Sequence, residues 1–258
     1  MNQPLITIIT VVKDSPRDLL ATAQSIMDQD PAALRRLEWI VINGSDRVET
    51  KQVMEGLGDY ITIGVNEADT GIFNAMNKAI DLAQGKYLWS VNAGDVLKTP
   101  QTASVLVQEL EGHPETDLLY AGCTNKHGYR PPIRAAKTYR IPASHQATLY
   151  NRALVGDQRY QEQYKIAADL QFGVEFGRKS KNILYLDQPI AHFQGGGVSD
   201  IKYMQSTREC FQIRQREGGI SLLENIGVTA FELAFRMTRR HFPKAYGQAY
   251  KAFGPRAP

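Results

Sequence analysis

The stretch Glu67-Ala-Asp-Thr-Gly-Ile-Phe-Asn-Ala-Met-Asn-Lys-Ala-Ile80, continued by Tyr87-Leu-Trp-Ser-Val-Asn-Ala-Gly-Asp95, decides the fold. Gly71 and Gly85 bracket a run in which Ile72, Met76, Ala79, Ile80 and Ala83 recur at helical spacing. An acidic turn, Glu67 to Asp69, precedes that helix. A short apolar strand, Tyr87 to Val91, follows it and delivers Asn92-Ala-Gly-Asp95 at its C-terminal end. An acidic turn, a helix with a polar Asn/Lys side and a carboxylate at a strand end are the parts with which an open α/β sheet holds a nucleoside diphosphate and its metal.

Working outward, the first hundred residues alternate strand and helix. Leu5 to Val12 is the β-branched run that a strand covered on both faces requires. Asp14-Ser-Pro16 breaks it. Asp18 or Ser15 can cap a helix carrying Leu19, Leu20, Ala23, Ile26 and Met27, which Pro31 is expected to stop. Glu38 to Ile42 reads as a second strand ending in Asn43-Gly-Ser-Asp46, and Tyr60 to Val65 as a third. Repeated βα units of this size predict a mainly parallel, Rossmann-like sheet flanked by helices. Ligands of such a sheet gather beyond its strands' C-terminal ends. The polar clusters at 13–18, 43–46, 66–71 and 92–95 all fall there.

After residue 100 the pattern loosens. A helix at about 101–111, a strand at Asp117 to Gly122, a Pro- and Arg-rich loop and a strand at Ile183 to Leu186 are expected. Gln161 to Gly177 reads as a helix or helix-flanked loop, and His192 to Ser199 as a glycine-rich turn. From Asp200 the chain reads as helical. The organisation is a domain over 1–200, with a nucleotide half (1–100) and an acceptor half (101–200), and a C-terminal helical appendix at 201–258.

Composition excludes several classes. With 258 residues, 43% of them hydrophobic, the chain can bury a full core. Thirty Lys and Arg against 27 Asp and Glu give a net charge of +3, too weak to argue for nucleic acid as a partner. Cys123 and Cys210 are far apart and read as reduced thiols, which fits a cytoplasmic setting. The opening MNQPLITIITVV has no basic n-region and no cleavage site, and reads as a buried strand.

Asp95 is the metal candidate, because an ion bridging a diphosphate needs few protein carboxylates; the bland alternative is a plain turn. Asn43, Asp46, Glu67 and Asp69 can accept hydrogen bonds from a base and ribose, although Asp46 reads better as a solvated cap. Asn77 and Lys78 lie on the polar side of the Gly71 helix, where Lys78 can meet a phosphate or simply a solvated face. Asn92 and His192 complete the candidate donor-binding set. Asp169 is either a buried general base or a helix cap, and the residues leave both readings open. His145 and His192 are further titratable candidates, and a lone His is more often structural. The glycine triplet 195–197 can wrap a phosphate or serve only as a loop. Residues 222–253 interleave Phe and Tyr with Arg and Lys, which suits an amphipathic helix on an anionic membrane and equally a helix packing its aromatics on the domain.

ITIITVVKD, EWIVINGS, NEADTGIFNAMNKAIDLAQGKYLWSVNAGD, PASHQATLY, YKIAADLQF and HFQGGGVS, in that order over roughly residues 5–200, resemble the family 2 glycosyltransferases with a GT-A fold. The resemblance is to the bacterial group of colanic acid and other exopolysaccharide biosynthesis enzymes. It implies an inverting, metal-dependent transferase that moves a sugar from a nucleotide-sugar donor to an acceptor hydroxyl. The implied roles are Asn43 and Asp69 on the nucleotide, Asp95 on Mg or Mn, and Asp169 as base. The implied acceptor is a polyprenyl-diphosphate-linked saccharide at the inner face of the cytoplasmic membrane, which would give the basic aromatic C-terminal segment, read as a peripheral membrane contact, a purpose. The alternatives are an inactive nucleotide- or sugar-binding relative, suggested by Asn43 and Asn74 where relatives carry Asp, and a sugar nucleotidyltransferase.

Overall fold

Strand β1 (Ile6–Val12) is buried along its whole length, and its side chains divide between two cores. Ile6, Ile8 and Val12 pack beneath α1 (Pro16–Met27) with Leu19, Ala23 and Ile26, whereas Ile9 and Val11 face α4 (Ile72–Leu82) with Met76, Ala79 and Ile80. This division is why the strand reads as a continuous apolar run and why the fold has helices on both faces of the sheet. The computed structural model describes residues 3–134, 139, 141–195 and 201–242.

The strands run in the order β3-β2-β1-β4-β8-β6-β9-β5. Strands β2 (Leu37–Asn43), β3 (Ile63–Asn66) and β4 (Tyr87–Ser90) join β1 in parallel, with Val12, Asn43 and Asn66 level at their C-terminal ends. The chain moves outward from β1 to β3 and then returns to the other side of β1 as β4. That reversal is the switch point at which an open α/β sheet opens a crevice. Lys13 and Asp14 leave one side of it and Asn92 to Asp95 the other.

Beyond β4 the pairing is mixed. Strand β8 (Thr148–Asn151) lies antiparallel between β4 and β6 (Leu118–Asn125), and β6 pairs parallel with β9 (Ile183–Phe193). β6 also turns back on β7 (Gly128–Arg130), and the short β5 (Val96–Leu97) pairs antiparallel with β9. Helices α2 (Pro31–Leu34), α3 (Val48–Gly56), α5 (Thr102–Gly112), α6 (Arg152–Val155) and α7 (Ala168–Lys179) cover the sheet. A hairpin of α8 (Tyr203–Glu217) and α9 (Leu222–His241) packs through α8 against α7.

Four local expectations are corrected. Pro31 does not stop α1, which ends at Met27; it starts α2 behind Asp30, whose carboxylate accepts the N–H of Ala32 at 2.8 Å. Strand β3 begins three residues after Tyr60, because 57–60 form a turn. Gly85 is not a left-handed helix cap: a Cβ there would lie 2.6 Å from the Thr7 nitrogen, so close approach to β1 is what demands glycine. His192 belongs to β9, which runs well past Leu186. Residues 196–199 of the glycine-rich turn and residues 243–258 of the tail lie outside the described residues.

Candidate active site

On one side of the crevice, the β2 loop is built on its own amide. Asn43 is fully buried; its Nδ2 donates to Asn66 Oδ1 at 2.9 Å and to the Ser45 carbonyl at 3.2 Å, and its Oδ1 accepts the Ser45 N–H at 3.0 Å. Asn43 thus holds the loops after β2 and β3 together. Asp69 packs over Gly44 so closely that a Cβ on Gly44 would sit 1.7 Å from Asp69 Oδ2. The Asp69 carboxylate is nearly buried, accepts the Gly71 N–H at 3.1 Å and faces Lys13 Nζ at 3.5 Å. Glu67 and Lys78 form an ion pair with each other, and Lys78 also donates to the Ala68 carbonyl at 3.1 Å. Asn77 exchanges two hydrogen bonds with the Tyr160 backbone, at 3.0 and 2.8 Å, tying α4 to the loop before α7.

Across the crevice, Gly94 turns the chain at a φ of +96°. Thr22 of α1 fixes that turn: its Oγ1 accepts the Gly94 N–H at 3.0 Å and donates to the Asp95 carbonyl at 2.7 Å. Asp95 is 5% exposed, and burial raises its carboxyl from the ordinary 3.8 to about 7 despite contacts from the Gln146 side chain and the Asn92 backbone. Three residues earlier, Asn92 Oδ1 is buried without a hydrogen-bond partner. A buried carboxyl and an orphaned amide oxygen on one turn suit a hard cation that takes oxygen ligands. Among the described residues no three His, Cys, Asp or Glu side chains converge on a metal site, so substrate oxygens would have to complete the shell of an ion held here. His192 stands in register with Val96, next to Asp95, and its Nδ1 contacts Thr124 Oγ1 at 2.9 Å. Burial, then Lys98, lowers its pKa.

Asp169 lies in the first turn of α7, where its Oδ1 accepts the Leu170 N–H at 2.9 Å. The residue as a whole is half-buried but its carboxyl is enclosed by protein, and burial raises its pKa. The group facing it is His145, whose own pKa burial lowers and whose two ring nitrogens are both buried without a hydrogen-bond partner. The ring packs edge-on to Tyr160, which is stacked between Phe73 and Phe172. In the loop before α7, Glu209 of α8 accepts the N–H groups of Lys165, Ile166 and Ala167 at 3.2, 2.8 and 3.0 Å.

One short turn, His145–Ala147, joins these two sides. His145 interacts with Asp169, and the next side chain, Gln146, with Asp95. Trp89 anchors the turn by donating from Nε1 to the Gln146 carbonyl at 2.8 Å.

Residues 7–176 match the family described as Glycosyl transferase family 2. The chain belongs to that family. This glycosyltransferase is 26% identical over 211 residues to a PGL/p-HBAD biosynthesis glycosyltransferase of Mycobacterium tuberculosis, covering 78% of this chain and 81% of the relative. An uncharacterized glycosyltransferase of the same species is 28% identical over 178 residues, covering 66% and 67%. Among solved structures, residues 1–349 of S. aureus TarS with UDP-GlcNAc superpose with a TM-score of 0.65 at 16% identity, covering 97% of this chain and 76% of that one. The Pyrobaculum calidifontis mannosyltransferase PcManGT, in complex with GDP-Man and Mn2+, gives 0.65 at 13% identity, covering 99% and 77%. Both likenesses establish the GT-A fold.

The structure therefore gathers Asn43 and Asp69 on one wall of the crevice of this glycosyltransferase and Asn92, Asp95 and His192 on the other. Sequence reasoning passed over Lys13, Gln146 and the pairing of His145 with Asp169. The segment Pro142-Ala-Ser-His-Gln-Ala147 was the available signal, because two adjacent polar side chains in a short turn before a buried strand point in different directions.

Proposed function

We propose that this glycosyltransferase is inverting, uses Mg or Mn, and transfers a sugar from a nucleotide-sugar donor to a hydroxyl of a lipid-linked saccharide in surface polysaccharide synthesis. The observation that carries the reading is the turn His145–Ala147, whose Gln146 side chain reaches the metal-candidate carboxyl and whose His145 ring acts electrostatically on the candidate base. The ligands printed for the fold relatives, UDP-GlcNAc and GDP-Man with Mn2+, support the choice of donor and cation.

In this reading Asp69, Asn92 and His192 line the donor's crevice, with Asn43 holding the loops in place. Asp95 and Asn92 would hold the cation, which supplies positive charge to the departing diphosphate. Asp169 removes the proton from the acceptor hydroxyl. The acceptor oxygen forms its bond to the anomeric carbon on the face opposite the diphosphate, the bond to the diphosphate oxygen breaks, and the configuration inverts. A carboxylate with a raised pKa is a stronger base than an ordinary one. Burial raises the pKa of Asp169, and His145 is the largest of the interactions that oppose this by favouring its charged form.

Thermal denaturation against a panel of UDP-, GDP- and dTDP-sugars with Mn present tests the donor class, since a ligand at a hundred times its Kd stabilises by about 2.7 kcal/mol. The matching donor is then assayed for transfer. Asp169→Asn is expected to bind it normally and transfer at least about a thousandfold more slowly. Normal transfer by that variant, or no stabilisation by any sugar nucleotide, overturns the reading; stabilisation without transfer by the unmutated protein favours an inactive binding relative.

A further inference from the structure

Helix α9 is amphipathic with its faces reversed. Asn225, Thr229, Glu232 and Arg236, spaced four, three and four, make up the side turned to α8. Asn225 donates to the Phe211 carbonyl at 3.0 Å, Glu232 pairs with the buried Arg214, which also reaches Thr229 at 3.3 Å, and Arg236 donates to the Tyr203 carbonyl at 3.4 Å. Leu223, Ile226, Ala230, Ala234 and Met237 recur with the same period on the opposite side, and all are exposed: Leu223 by 82%, Ile226 by 50% and Met237 by 53%. Phe231, 67% exposed, widens that stripe. A surface helix of a monomeric domain ordinarily does the reverse. Ser221 caps the helix by accepting the Glu224 N–H at 3.3 Å, so the arrangement is a well-formed twenty-residue helix about 30 Å long.

Charge selects the occupant. Residues 233–258 contain six Lys and Arg and no Asp or Glu. The acidic side chains of α9 are engaged elsewhere, Glu232 with Arg214 and Glu224 with the Tyr139 hydroxyl at 3.2 Å. An apolar stripe without carboxylates, whose C-terminal part and following segment carry basic but no acidic side chains, complements an anionic lipid surface better than a second copy of itself, which would set like charges together. Among the described residues no helix is long and apolar enough to cross a membrane.

We propose that the outer face of α9 lies on the surface of an anionic phospholipid bilayer, with Leu223, Ile226, Phe231 and Met237 entering the headgroup boundary. The full chain, without donor or acceptor, is floated with vesicles of phosphatidylcholine alone or with 30% phosphatidylglycerol. Each basic side chain that reaches an anionic surface contributes about fivefold to partition, so binding to the anionic vesicles is expected to be at least about tenfold stronger and to weaken in 0.5 M NaCl. The double substitution Ile226→Glu/Phe231→Glu is expected to lower it by about tenfold or more. Phe231→Trp, conservative at an exposed position, is expected to show a blue shift in emission on the anionic vesicles. Overturning results are no flotation and no blue shift, flotation unchanged in the double variant, or a dimer in sedimentation equilibrium that the double variant dissociates, which would put a second copy on the face. None of these readouts requires sugar transfer, so they stand apart from the outcome of the donor and Asp169 assays.

Discussion

Replacing Asp95 by Asn tests the electrostatics of the crevice directly. Burial raises this carboxyl from 3.8 to about 7, so between those values the folded protein binds a proton that the unfolded chain releases. Stability from this group is complete below pH 4 and is lost as pH rises through 7. At 1.36 kcal/mol per pH unit the loss is on the order of 4 kcal/mol by pH 8. Asn has no proton to lose. In EDTA, Asp95→Asn is expected to unfold in urea at nearly the wild-type free energy at pH 4, and to exceed it at pH 8 by a few kcal/mol. Asp169 and His145 titrate in both proteins and cancel in the difference. Adding Mn at pH 8 is expected to stabilise the wild type, whose ionised carboxylate and Asn92 Oδ1 are both available, and to leave the variant unchanged. Parallel wild-type and variant curves from pH 4 to 8 would refute the reasoning, because the carboxyl would then be no harder to ionise in the folded protein than in water.

Three other outcomes are expected. Removing His145 as His145→Phe takes away the largest interaction that favours the charged form of Asp169, so the acidic limb of the kcat/KM profile should move to higher pH; an unmoved limb separates the two residues. Gly44→Ala would drive a methyl into Asp69 and displace it from Gly71 and Lys13, weakening donor binding by about 1.5–3 kcal/mol in calorimetry. Glu209→Ala would leave three N–H groups before α7 without their acceptor, lowering stability by about 2–4 kcal/mol in urea melts and lowering kcat more than donor affinity.

The first hundred residues were legible because their signals are local. β1 and β2 are apolar runs buried on both faces, and α4 shows its apolar side within eleven residues. Strand β8 gave no comparable signal, since Thr148–Asn151 is four residues long and is defined by antiparallel neighbours remote in sequence. The site residues divide in the same way. Asp95 is marked by the strand that ends before it. The roles of Asn77 and Lys78 are not marked, because whether a polar side chain meets a ligand, the Tyr160 backbone or Glu67 depends on loops that arrive from elsewhere. His145 was undervalued for the same reason: its partner lies twenty-four residues away on α7.

The bonds from Glu209 to the loop before α7 give the C-terminal hairpin a place in the inheritance of this enzyme. One helix of the hairpin braces the turn that carries Asp169, and the other presents the apolar stripe. A descendant that discards the hairpin leaves three amide hydrogens at the head of α7 without their carboxylate. A descendant that exchanges it alters the support of the turn that carries Asp169 and its outward face in a single event. If α9 meets the membrane and Asp169 is the base, as proposed, where this transferase works and how firmly it holds that residue are one trait for selection.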